Sequence, residues 1–144
     1  MQVVDVNVLV ALFVEDHPHH GAASQWWDEV ASTGEPFTVP EMVWVDFIRL
    51  MTGGRTPIAP VDFATAWEFA SAVMAQPMHA RFVTDPRTLE EFTGLSQQAR
   101  AHGNLVTDAY IAACAAAYGA TVVTFDRDFR KFDGVKVKEL SSAG

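Results

Sequence analysis

Five short runs rich in β-branched residues alternate along this chain with stretches of helical period. The runs are "VVDVNVLV" (residues 3–10), "EPFTVP" (35–40), "RFVTD" (81–85), "TVVTF" (121–125) and "VKVKEL" (135–140), each bounded by Gly, Pro or charge. Between them lie "HHGAASQWWDEVAST" (19–33), "PEMVWVDFIRLMT" (40–52), "PVDFATAWEFASAVMA" (60–75), "DPRTLEEFTGLSQQARA" (85–101) and "TDAYIAACAAAYG" (107–119). Strands and helices thus alternate along the chain. The expected fold is α/β, a mainly parallel sheet with helices on both faces. The 144 residues contain no internal repeat or long linker, so residues 1–144 are read as one domain, and 49% hydrophobic residues suffice for its core.

Composition narrows the function classes. The first apolar stretch, Val8 to Val14, is too short to span a bilayer and has no basic residue before it. A lone cysteine, Cys114 in "AACAAA", excludes an internal disulfide framework and fits a reducing cytoplasm. The net charge of −8 excludes a protein that coats nucleic acid through a broad basic face, though not a nuclease. Eight acidic residues and no Lys or Arg precede Arg49, while Arg127, Arg130, Lys131, Lys136 and Lys138 crowd the end.

The carboxylates pose the functional question. Asp5 and Asn7 interrupt the first apolar run, and a carboxylate kept in a core strand costs several kcal/mol unless compensated. In an open parallel sheet, sites form at the carboxyl ends of the strands. Asp5 falls at or just past the first strand, and Asp126 and Asp128 follow "TVVTF". Asp108 is expected to begin a helix, capped by Thr107 and ended by Gly119. Taken singly, Asp108 is an ordinary first-turn acid, and Asp126 and Asp128 are ordinary turn residues. Together they are costly, because two carboxylates ~5 Å apart repel by about 3 kcal/mol at an effective dielectric of ~20. A divalent cation resolves this, and an all-oxygen donor set suits Mg²⁺, with Mn²⁺ as substitute.

The helix at 40–52 offers two further acids. Glu41 and Asp46 lie about 140° apart around a helix, so they do not point into one cluster. Asp46 shares its face with Met42, Val43 and Leu50, expected to turn toward the core; Glu41 is explained by the helix dipole alone, so Asp46 is preferred. "HPHH" (17–20) is read as a helix-entry loop, its spacing being poor for tetrahedral zinc. Trp26, Trp27, Trp44, Phe47 and Trp67 are read mostly as core.

The pieces "DVNVLV", "DFIR", "GNLVTDAYIAACA" and "TFDRDF", in this order over nearly the whole chain, resemble the PIN-domain family and its VapC-type toxin ribonucleases. The resemblance implies a three-layer α/β/α sandwich and a Mg²⁺- or Mn²⁺-dependent endoribonuclease cutting structured or single-stranded RNA. It implies Asp5 and Asp108 as main metal ligands, Asp126 as the third acid, Asp128 as a further acid of the same loop, and Asn7 and Thr124 as polar supports. Asp46 stands where relatives place Glu, and Val6 stands where they place Thr. Arg49, Arg127 and Arg130 are candidates for guiding RNA phosphates. A cognate antitoxin and a homodimer are implied as partners. The alternative is a catalytically weak PIN-fold module acting through protein binding. A haloacid dehalogenase phosphatase would need Asp where Asn7 stands, and a receiver domain would need an acid pair before the first strand.

Overall fold

A computed structural model of the chain describes residues 1–54 and 59–141. The elements are β1 (Gln2–Val4), α1 (Val6–Phe13), α2 (His20–Thr33), β2 (Phe37–Thr38), α3 (Glu41–Gly53), α4 (Phe63–Met74), α5 (Thr88–Ala99), α6 (Asn104–Tyr118), β3 (Thr121–Thr124), a 3-10 helix (Arg127–Lys131) and β4 (Lys136–Glu139). The strands form one sheet in the order β2-β1-β3-β4. Every pairing is parallel, and the β1–β3 register sets Val4 against Val123. The architecture is the three-layer α/β/α sandwich expected.

The sheet centre is dry. Val3, Val4, Val122 and Val123 are fully buried, each worth about 1.5–3 kcal/mol of apolar transfer. Helix α6 packs against α5 and both central strands. It buries Ala109, Ala112, Ala113, Cys114 and Ala115 together, so it shows no polar stripe along most of its length. Small side chains let its backbone lie close to the sheet. Gly119, at φ +63°, ends α6 in the left-handed conformation that turns the chain into β3. None of the helices among the described residues is long and apolar enough to cross a membrane.

Four expectations need correction. The run 3–10 is not one strand: β1 ends at Val4, and residues 6–13 form a helix whose N-cap is Asp5. Asp5 adopts φ −79°, ψ 156°, and its Oδ1 accepts the Val6 N–H at 2.7 Å, so the carboxylate starts a helix instead of interrupting a strand. Residues 81–85 form no strand; Phe82 is buried but Val83 is exposed, and the nearest sheet-like contact is the isolated bridge of His79 to Phe37. Helix α6 begins at Asn104, so Asp108 lies in its second turn and Thr107 is not its cap. Asp46 does not face the core, because the buried face of α3 is Val43, Trp44, Phe47 and Met51, with Met42 exposed.

Candidate metal centre

The parallel pairing of β1 with β3 places Asp5, just past β1, beside Thr124, the last residue of β3. The Asp5 N–H donates to the Val123 carbonyl at 3.0 Å, which pins this register. The Thr124 hydroxyl is the hub of the corner. It donates to Asp5 Oδ2 at 2.7 Å, and it accepts from Asn7 Nδ2 at 3.2 Å and from the Asp126 N–H at 2.9 Å. One donor and two acceptor sites are thereby all used. Asn7 closes the circuit by accepting the Phe125 N–H on its Oδ1 at 3.2 Å.

Asp126 caps the 3-10 helix, accepting the Asp128 N–H at 2.8 Å. This turn aims two acids toward the second turn of α6. Carboxylate oxygens of Asp108, Asp126 and Asp128 all lie within 4.8 Å of one another. Asp5 lies outside that group of three but interacts by charge with Asp108 and Asp126, and it is only 3% exposed.

The electrostatics of the cluster are unfavourable to four negative charges. Burial raises the Asp5 carboxyl to about 6, against the hydrogen bonds from Thr124 and Val6 and with added repulsion from Asp126 and Asp46. Burial also raises Asp108 to about 7, helped by the charges of Asp5, Asp126 and Asp128 and opposed by Lys131. Groups so placed hold protons near neutrality or share a cation. The donors are all hard oxygens, the set that Mg²⁺ and Mn²⁺ take, so the residues present fit a divalent ion.

The remaining predicted residues lie around this centre at different depths. Asp46 feels Asp5 and borders a shallow cavity of about 260 Å³ shared with Val6, Arg49 and Thr107. Its Oδ1 accepts both Nε (3.0 Å) and Nη2 (2.5 Å) of Arg49. Glu41 is exposed and lines a different groove, with Arg81 and Tyr110. Arg130 makes a two-point contact with Glu139 at 2.8 and 3.0 Å, and Arg127 reaches the same carboxylate at 4.0 Å. Sequence reasoning did not single out Lys131 for the site. Its ammonium sits 3.1 Å from Asp128 Oδ1 and steadies the negative cluster. The signal was the three-residue spacing from Asp128, which becomes a contact once the 3-10 helix is known.

Thr124→Val, nearly isosteric, removes the hub hydroxyl. It is expected to cost about 1–3 kcal/mol in urea denaturation and to push the Asp5 carboxyl higher still, because the charged form loses a donor. Unchanged stability would mean that the hub contributes nothing to holding the corner.

The PIN domain family model matches residues 3–135. Ribonuclease VapC25 of Mycobacterium tuberculosis is 40% identical over 136 residues, covering 94% of this chain and 96% of that protein. Among solved structures, VapBC2 from Rickettsia felis, bound to a DNA fragment from its promoter, superposes with a TM-score of 0.73 at 12% identity, covering 97% of this chain and 98% of the other. A toxin–antitoxin complex from Klebsiella pneumoniae gives a TM-score of 0.62 at 18% identity, covering 96% of each chain. The match over nearly the full length, on a sheet whose carboxyl end gathers these acids, shows that the chain belongs to the PIN-domain family, among its VapC-type members.

Proposed function

We propose that this chain is a divalent-metal-dependent endoribonuclease and the toxin of a toxin–antitoxin pair, hydrolysing phosphodiester bonds in structured or single-stranded RNA. The observation that carries the reading is the convergence of Asp108, Asp126 and Asp128 beside the buried Asp5. The similarity to a named ribonuclease over 94% of the chain supports the substrate class. Residues 1–144 are taken as one domain, because one core cluster runs from Val3 to Phe132.

Asp5, Asp108 and Asp126 would hold the ion, with Asp128 as a further oxygen donor. Mg²⁺ is the cofactor this reading takes, with Mn²⁺ as its substitute. Bound there, a divalent cation supplies Lewis-acid polarisation of a phosphoryl oxygen and a lowered pKa for water. The chain supplies the positioning. Thr124 and Val6 fix both oxygens of Asp5, while Asn7 holds the backbone corner from which Asp126 projects. Asp46, part-exposed and paired with Arg49, or Asp126 would orient the attacking water. Arg127, the most exposed of the three arginines, would meet RNA phosphates first; Arg49 and Arg130 would exchange Asp46 and Glu139 for them.

The partner reading draws on the toxin–antitoxin neighbour and on exposed apolar surface. Val45, Phe63 and Trp67 are 69%, 61% and 45% exposed, and Val45 and Trp67 border a groove of about 390 Å³ floored by Trp44 and Met74. A cognate antitoxin segment fits such a surface. Trp26, Trp44 and Phe47 are buried as expected of core residues, Trp27 is part-buried, and the exposed Trp67 is not core. A homodimer and a cytoplasmic location complete the reading; the latter is supported by a buried, unpaired Cys114 whose thiol burial raises to about 11.

Inducible expression in a bacterial host tests the proposal. The chain should arrest growth, co-expression of its antitoxin should relieve the arrest, and Asp5→Asn should abolish it. Arrest by Asp5→Asn at equal protein level would remove this site from the activity.

A further inference from the structure

Three aromatic rings meet in succession on the residue before Asp126 and the loop that enters α2. Phe125 directly precedes Asp126 and packs on the hydrophobic core. Its ring stacks on that of His19, with centroids 4.5 Å apart and planes 12° from parallel. His17 continues the row, its ring 5.5 Å from His19 and tilted by 41°. The row therefore begins on an anchored ring and ends on part-exposed histidines.

The loop between α1 and α2 holds these rings in place. The His19 N–H donates to His17 Nδ1 at 3.0 Å, and the His17 N–H donates to the Val14 carbonyl at 3.0 Å. The His20 ring is fixed separately, 2.8 Å from the Ala11 carbonyl and 3.3 Å from the Ser24 hydroxyl. His19 Nδ1 is buried without a hydrogen-bond partner among the described residues. The histidines form no metal-ligand group of three; among the described residues that geometry occurs at Asp108, Asp126 and Asp128.

We propose that the Phe125–His19–His17 row is a stacking platform for an unpaired nucleobase of the RNA, seating the nucleotide next to the phosphate that faces the acidic cluster. This rests on the ribonuclease reading above. Single-stranded RNA is recognised largely by bases stacked on aromatic side chains, histidine included. Electrostatic grip on the backbone is scarce here. The chain carries −8; Arg49, Arg130 and Lys131 are each paired with an acid, which leaves Arg127, 4.0 Å from Glu139, as the most exposed of these arginines for phosphates. Stacking needs no counter-charge, so it provides hold where phosphate contacts are few.

Fluorescence anisotropy with a labelled, short single-stranded RNA of mixed sequence tests this in the Asp108→Asn chain, which leaves the probe intact. His19→Ala is expected to weaken binding about tenfold, the scale of base–aromatic stacking, while His19→Phe, which keeps a planar ring, stays close to its parent. An abasic sugar–phosphate oligomer of the same length should bind more weakly and should not distinguish the three chains. Equal affinity of His19→Ala and its parent for the base-bearing RNA would overturn the platform. If His19→Ala fails to fold, the parent alone decides: equal affinity for base-bearing and abasic probes overturns the proposal, and a clear preference for bases sustains it. Cleavage by the unmodified chain is scored separately. Its absence alongside base-dependent binding would fail the ribonuclease reading and leave the platform standing.

Discussion

Asp108→Asn is expected to lower metal-dependent RNA cleavage by about 10³-fold or more, the scale of removing an electrostatic element at a reacting phosphate. The same substitution should make the metal-free chain more stable at alkaline pH. Asp108 is held near 7 by burial and by three neighbouring carboxylates, so its charge is a liability wherever no cation shares it. An amide of the same shape removes the repulsion without opening a cavity. Activity lost with stability gained is the mark of a residue retained for chemistry at the expense of the fold. Single-turnover cleavage and urea denaturation read the two effects separately. Cleavage at the parent rate would remove Asp108 from the centre; joint loss of activity and stability would make it structural.

The second large effect is the pH dependence of the metal-free chain. The folded pKa of Asp5, about 6, lies above its ordinary value of 3.8, so the folded state binds more protons than the unfolded state between these values. Stability must then fall as pH rises through that window. The shift of about two units corresponds to about 3 kcal/mol of stability, fully present below pH ~4 and lost above pH ~6. Asp108 adds in the same direction up to about 7, damped by its partial exposure. Mg²⁺ or Mn²⁺ should restore the loss, raising the melting temperature strongly near pH ~8 and scarcely near pH ~4, because protons and the cation compete for one site. Melting curves across pH, with and without metal, check this. A pH ~4 to ~7 stability change that Asp5→Asn leaves unaltered, or a metal effect independent of pH, would contradict the cluster as described. The comparison with Asp5→Asn removes the opposite contribution of His17 and His79, whose burial lowers their pKa values.

The alternation of β-branched runs and helical stretches was enough to read a parallel α/β sheet, because parallel strands demand those crossovers. It was not enough to place Asp5. The pattern "VVDVNVLV" alternates apolar and polar residues like a strand, yet Val8, Leu9 and Ala11 are the buried face of α1. A carboxylate that caps a helix directly after a strand looks the same in sequence as one inside a longer strand. The run "RFVTD" shows the converse: β-branched residues make a strand only where a partner edge is free, and this one meets none. Thr107 and Asp108 mimicked a cap, whereas α6 starts at Asn104 and carries Asp108 on its second turn. The acids of the centre were therefore legible as residue types and by family resemblance. Their gathering at the carboxyl ends of the strands was expected and is found for Asp108, Asp126 and Asp128; its detailed geometry was not legible, since it depends on the β1–β3 register and the 3-10 turn after Thr124. Lys131 and the His19–Phe125 stack were hidden for the same reason: both contacts arise only when loops meet at the sheet's end.

The most direct test of a metal-dependent RNA-cutting centre is to map new 5′ ends in a cellular RNA pool exposed to the purified, antitoxin-free chain. The map would be made with Mg²⁺, with Mn²⁺, and with chelator, beside Asp108→Asn. Discrete cuts that need the metal and vanish in the variant are the predicted result. Cuts that survive both chelation and the substitution would contradict the account.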